Sequence, residues 1–332
     1  MLISLDFKGF RQFKALHLEP LSRVNLIAGR NNTGKTAILE GLMLLFGDGQ
    51  INQLPSIFRS AVGSSRDDFD SYWRWLTYQK SPTELMGVEA RDDKKRSYVV
   101  SRAENSQQPS ESLVLEYALV HSQRESWSAT ITATAGMAFS QGSTKMPRAV
   151  SFATRSLTPV ESTWKYNQIA AKKGGRQKLT ELLRRIEPRL QELQYLKLGD
   201  NALVYADVGL TDLIPAHQLG QGFVRLMQIY AEVLLAEAKI VLIDEIENGI
   251  DYHALSELWQ GLQAIAAQND VQIFATTHSY ECIRSASEVF ATTAEDDLAV
   301  HRLEFDGKQE VRVVTIREDV LGSALEIELE VR

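Results

Sequence analysis

Residues Gly29–Thr36 read Gly-Arg-Asn-Asn-Thr-Gly-Lys-Thr. They match G-x-x-x-x-G-K-[ST], a pattern whose residue types suit a polyphosphate. Gly29 and Gly34 let the backbone N–H groups of Arg30, Asn31, Asn32 and Thr33 curl around phosphate oxygens. Lys35 would reach the β- and γ-phosphates, and the Thr36 hydroxyl would ligate Mg2+. The helix that follows, with Ala37 in its first turn, would present its N-terminus to the anion. A chance glycine turn fits the bare pattern as well. The context decides between them. "VNLIAG" before the loop is a short apolar run suited to a buried strand. After it, Ile38, Leu39, Leu42, Leu45 and Phe46 recur at helical spacing and stop at Gly47.

"KIVLIDEIENGID" places Asp244 and Glu245 at the carboxyl end of an apolar strand. In a parallel sheet that end is where ligands bind. Asp244 would hold Mg2+, directly or through water, and Glu245 would polarise an attacking water. The competing reading is an acidic helix cap, common after strands; adjacency of two acids behind four apolar residues argues against it. Glu247 reads as favouring the start of the next helix. "QIFATTHS" ends another apolar strand at His278, which would hydrogen-bond a γ-phosphate and sense its loss. Thr276 and Thr277 receive no role beyond shaping that loop.

The elements that must position these groups alternate. The first residues, "LISLDFKGFRQFKALHLEPLSRVNLIAG", read as strands, with Ile3, Leu5 and Phe7 on one face. The last third reads helix, strand, helix, strand, helix, then a hairpin turning at Asp306–Gly307. Such alternation implies a mostly parallel sheet. Between them lie antiparallel strands and a helical stretch whose stripe is Leu179, Leu182, Leu183, Ile186, Leu190 and Leu193, with Pro188 marking a break. The expected organisation is strands plus phosphate loop over 1–47, an insertion over 48–204, and the acidic-strand and histidine half with its hairpin over 205–332. The chain has 332 residues, 44% hydrophobic and 24% charged, with no apolar run of membrane-spanning length. Cys282 is the sole cysteine, so no internal disulfide forms. A net charge of −7 opposes bulk coating of nucleic acid, and no secretory leader is apparent, so the expected location is the cytoplasm with no membrane contact.

Taken in order, "GRNNTGKT", "IVLIDEIENGID" and "FATTHS" resemble the ABC-type ATPase heads of the SMC/RecF/OLD group. The likeness is greatest to the small stand-alone OLD-like branch. It implies an α/β P-loop NTPase fold, an ABC-type ATPase head with an N-terminal antiparallel β lobe and a helical and β insertion. It also implies a head-to-tail homodimer with ATP and Mg2+ between one copy's phosphate loop and the other copy's signature loop. Gly220, Gln221 and Gly222, followed by Arg225, stand where that signature belongs and would act in trans. Asp251 stands at the position of the D-loop aspartate, and Gln79 is the best match for the Q-loop glutamine that ligates the metal. The same likeness makes Glu245, His278 and Lys35 the catalytic set. The residues after His278 are too few for a TOPRIM nuclease domain, so nuclease activity is not expected. The resemblance implies an ATP switch for a separately encoded effector protein, in bacterial antiviral defence or a toxin–antitoxin-like pair. A repair-type ATPase clamping DNA is the alternative. Its groove would be the basic run Lys165, Lys172, Lys173, Arg176, Lys178, Arg184 and Arg185, which a solvated helix face explains equally well.

Overall fold

Continuous apolar strands form the centre because they are covered on both faces. The computed structural model describes residues 1–47, 73–80, 85–102, 112–132, 136–139, 149–152, 159–198, 201–235, 239–292, 297–307, 310–318 and 320–322. Sixteen strands fall into three sheets among them. A seven-stranded antiparallel sheet takes β1 (Leu2–Phe10), β2 (Phe13–Leu18), β4 (Gly87–Asp92), β5 (Ser97–Arg102), β6 (Ser112–Val120), β7 (Arg124–Thr132) and β8 (Gly136–Phe139), in the order β2-β1-β4-β5-β6-β7-β8. The central sheet holds β3 (Val24–Gly29), β9 (Ala149–Phe152), β13 (Ile240–Ile243), β14 (Gln272–Thr276), β15 (Leu298–Phe305) and β16 (Val311–Arg317). Its order is β16-β15-β3-β14-β13-β9, and only β16 runs antiparallel to its neighbour. A small sheet comprises β10 (Glu192–Leu198), β11 (Asn201–Asp207) and β12 (Ile214–Pro215).

Among the described residues, α-helices accompany the strands: α1 (Lys35–Phe46), α2 (Pro159–Ala171), α3 (Gly175–Arg184), α4 (Gln221–Leu235), α5 (Leu255–Asn269) and α6 (Tyr280–Phe290). Every residue of α1 from Ala37 to Phe46 is buried, as an all-round apolar helix demands. It is packed between the central sheet and the antiparallel sheet, where Ile27, Leu242 and Phe274 meet Phe7, Phe10 and Val88 in one core. The opposite face of the central sheet, through Leu26, Val241, Ile243 and Ile273, packs with Phe223, Leu258, Trp259 and Ile283 of α4, α5 and α6.

The structure alters four details of the expected layout. The first strand changes phase: Ile3 is 40% exposed while Leu2, Ser4, Leu5 and Phe7 are buried. A register shift between Leu2 and Ser4 against β4 is the cause, since one extra residue flips the side chains beyond it. Leu190 and Leu193 leave the helical stripe. α3 ends at Arg184, and Leu193 is buried from β10 instead. The hairpin turn is longer than Asp306–Gly307, because Phe305 pairs Val311 and the Asp306 N–H donates to the Glu310 carbonyl at 2.8 Å. Finally, the sheets cross the three expected segments: β1 of the first pairs β4 of the second, and β9 of the second pairs β13 of the third.

Candidate active site

Parallel register brings three motifs to one sheet edge. Thr276 pairs Ile27, and Ala275 pairs Ile243, so Gly29, Asp244 and His278 all follow the carboxyl ends of adjacent strands. The loop between β3 and α1 is closed by the Thr33 hydroxyl, which donates to the Arg30 carbonyl at 2.8 Å. Asn32 and Gly34 adopt φ of 68° and 100°. A Cβ at Gly34 would also lie 2.6 Å from the Phe13 ring, so both backbone and space require glycine. The Ile38 N–H is the first to bond back, to the Gly34 carbonyl, and α1 starts with no side-chain cap and no acid in its first turn. The N–H groups of Lys35, Thr36 and Ala37 are those that helix geometry leaves for an anion.

The Lys35 ammonium folds back onto its own loop, donating to the carbonyls of Gly29 at 2.7 Å and Arg30 at 3.1 Å. Burial lowers its pKa, against the pull of Asp244, Glu247 and Glu245. The Thr36 hydroxyl donates to Asp244 Oδ1 at 3.3 Å, and the Thr276 hydroxyl donates to the same oxygen at 2.6 Å. Thr276 Oγ1 in turn accepts the Glu245 N–H at 2.8 Å. Thr276 therefore fixes both acids, a role its sequence context did not announce. The signal for it is pairing across strands, which only the assembled sheet supplies. Glu245 stands at φ 46°, a left-handed conformation uncommon for a residue with a side chain and typical of functional loops.

Glu247 turns inward rather than capping the next helix. Its Oε1 accepts the His278 N–H at 3.0 Å and lies 3.1 Å from His278 Nδ1. Its side chain is 12% exposed, whereas that of His278 is 57% exposed.

The expected trans residues divide. Gly220 has φ 108° with open space around it, at the start of α4. A Cβ on Gly222 would lie 3.1 Å from the Gly249 carbonyl, so the glycine loop rests against the Gly249–Asp251 turn of its own chain. Asp251 accepts from the His253 N–H at 3.0 Å, which with the ring contact holds its carboxyl below the usual range. Asp251, Tyr252 and His253 are exposed beside the glycine loop. Arg225 faces inward. It is 1% exposed, and its Nη2 donates to the Asp244 carbonyl at 3.2 Å. Helical periodicity carries it to the inner face of α4, so it serves its own chain's acidic loop. Burial lowers its pKa, opposed by Asp244, Glu245 and Glu247. Gln79 is exposed, on a segment joined to the end of β1 by the Arg11 N–H donating to the Leu76 carbonyl. Among the described residues no hydrogen bond joins it to Thr36 or Asp244.

A glycine loop opening a buried helix, an acid pair after the neighbouring apolar strand and a histidine after the next define a P-loop ATPase of the SMC-head type. Comparison with known proteins agrees. Residues 24–284 match the family described as an AAA domain, putative AbiEii toxin, type IV TA system, and the chain belongs to that family. A relative described as an ATP/GTP phosphatase from Helicobacter pylori is 21% identical, over 96% of this chain and 95% of its own length. The DNA replication and repair protein RecF of Clostridioides difficile is 51% identical over 47 residues, 14% of this chain and 13% of that protein. Two solved structures share the fold. An SMC head bound to the C-terminal winged-helix domain of ScpA has a TM-score of 0.55 at 14% identity, covering 98% of this chain and 99% of that one. The Thermotoga maritima SMC head domain scores 0.51 at 12% identity, covering 95% and 98%. Among the described residues no helix is long and apolar enough to cross a membrane.

Proposed function

We propose that the chain closes around ATP as a head-to-tail homodimer and works as a nucleotide switch on a separately encoded protein. One observation carries the nucleotide chemistry: Lys35, Thr36 and Asp244 converge at one sheet edge, with Thr36 Oγ1 and Asp244 Oδ1 3.3 Å apart. Those two oxygens are hard donors of the kind Mg2+ takes together with phosphate oxygens and water. The ion, when bound, would neutralise charge on the β- and γ-phosphates. The chain's own groups do the rest. The loop and the α1 N-terminus cradle the phosphates, Lys35 exchanges its carbonyl contacts for phosphate oxygens, and Glu245 orients and polarises the attacking water. His278 reads the γ-phosphate from its exposed position.

Dimerisation is supported by the open space at Gly220 and the adjoining exposed turn at Asp251, which together leave a glycine-rich helix start facing outward. The effector reading is supported by the family's toxin–antitoxin description and by SMC heads that bind ScpA. Glu245→Gln tests the core of it. This variant should bind ATP, lose hydrolysis by roughly 100-fold or more, and double its mass by light scattering when ATP is added. Wild-type turnover in that variant, or a monomer under all conditions, overturns the reading.

A second reading, nucleic-acid binding, is favoured by a cavity of about 780 Å³ at the α2–α3 turn. It is lined by Lys172, Lys173, Arg176, Gln194 and Tyr195. Of the other basic residues, Lys165 pairs with Glu232, Arg184 donates to the carbonyls of Leu190 and Gln191, and Arg185 donates to Gln260. DNA-stimulated ATPase activity with steep salt dependence would select this reading.

A further inference from the structure

We infer that Glu247 is a positioning residue that acts through His278, fixing which imidazole nitrogen faces the nucleotide. The inference rests on the proposed hydrolysis. Its geometry stands on four facts. Oε1 of Glu247 accepts the His278 backbone N–H at 3.0 Å, which anchors the turn between β14 and α6. The same oxygen lies 3.1 Å from His278 Nδ1. The carboxylate is nearly enclosed while the imidazole it holds is more than half exposed. Its second oxygen, Oε2, is buried without a hydrogen-bond partner.

An acid that merely favoured a helix start would turn to solvent. This one gives up hydration, which costs free energy unless its charge is compensated. Lys35 and Arg225 supply compensating charge, since each feels the Glu247 carboxylate. A carboxylate is an acceptor only, so the proton between it and Nδ1 belongs to the imidazole. His278 therefore carries its proton on Nδ1, which leaves Nε2 as the ring's second nitrogen. With that proton on Nδ1, Nε2 is an acceptor in the neutral ring and a donor only in the imidazolium. Glu247 thus sets both the orientation of the ring and its donor character, as an acid behind a histidine does in other active sites. The short loop Asp244–Glu247 thereby holds an acid facing the metal position, an acid for the water and an acid for the histidine. The turn keeps its shape through the Asn248 N–H donating to the Glu245 carbonyl and the Ile250 N–H donating to the Glu247 carbonyl.

Two measurements test this. The first needs no turnover. Histidine-selective 15N NMR of the nucleotide-free protein, with the signal assigned by His278→Ala, should show the neutral ring protonated on Nδ1, and Glu247→Gln should abolish that preference. A wild-type ring protonated on Nε2 overturns the inference. The second is kinetic. Glu247→Gln should lower kcat for ATP by about 10- to 100-fold, the usual effect of removing a group that orients a catalytic one. KM should stay within about twofold, because the phosphate loop, Lys35 and the α1 N-terminus keep their contacts to ATP. Combined with His278→Ala, it should add nothing to the loss from His278→Ala alone. Additive losses, or a loss in KM with kcat unchanged, overturn it. Failure of the wild-type chain to hydrolyse ATP would instead sink the proposed function, and the NMR result would stand by itself.

Discussion

Thr276 carries more of the site than its type suggests. Its hydroxyl donates to Asp244 and accepts from the Glu245 backbone, so one oxygen sets the positions of two acids. Thr276→Val preserves shape and removes both bonds. It should lower kcat by about 10- to 100-fold and destabilise the fold by about 1–3 kcal/mol, read by steady-state ATPase assay and thermal melting. An unaltered kcat would show that Asp244 needs no such support. Lys35 makes the complementary prediction. Lys35→Ala removes one charge-assisted contact and should weaken fluorescent ATP analogue binding by about 10- to 100-fold in a titration. Undiminished affinity would take Lys35 out of the phosphate cradle. The residue types at Gly29–Thr36, Asp244 and Glu245 were legible in sequence because their chemistry is local. Thr276 and Glu247 were not, because their partners lie 32 and 31 residues away and meet only when β13 and β14 align. The direction of Arg225 was illegible for the same reason: sequence gives its place on a helix, while burial gives its direction.

Elements show the same division. Periodicity identified the apolar strands, buried along their whole length, and α1, but missed the end of α3, where Leu190 and Leu193 continue an apolar rhythm on a different backbone. The shift at Leu2–Ser4 had no sequence signal either, since a bulge changes pairing without changing composition. Across β3, β15 and β16 runs a buried polar line. His301 Nε2 faces Asn25 Oδ1 at 3.2 Å, and Nδ1 faces the Thr315 hydroxyl at 3.0 Å. The Asn25 amide already donates to the Ser22 carbonyl, so its oxygen accepts and the proton sits on Nε2. Burial pushes the His301 pKa down from 6.5 to about 4. The unfolded chain therefore binds this proton more readily between those values, and folding stability falls as pH drops from about 6.5 to about 4. The full loss is about 3 kcal/mol, absent above pH 6.5. Melting temperature against pH should fall less steeply in that window for His301→Gln; parallel curves would assign the acid sensitivity elsewhere.

At the scale of the molecule, sequence foretold an ATPase head, and the fold and family match it. How the middle of the chain attaches was illegible, because strand pairing between β1 and β4 joins residues as far apart in sequence as Leu2 and Asp92. The proposed closed dimer makes a distinct prediction. Gly220→Val would strain the backbone at φ 108° in the loop offered to a second copy, without crowding its own chain. Lys35→Ala spoils the opposite component. Each variant alone should be inactive, yet an equal mixture should recover activity, since half the mixed pairs' sites combine two intact components. No recovery, measured by ATPase rate, would place a complete site within one chain.

The contact between Gly222 and the Gly249–Asp251 turn has a further consequence. That turn is the continuation of the loop bearing Glu245 and Glu247, with the Ile250 N–H bonded back to the Glu247 carbonyl. In the proposed dimer, whatever the glycine loop sensed in a neighbour's nucleotide would reach Glu245 and Glu247 of its own chain through about one turn of backbone. Two sites in such a pair would share one energetic ledger, so the rate at either would depend on occupancy of both and rise sigmoidally with ATP.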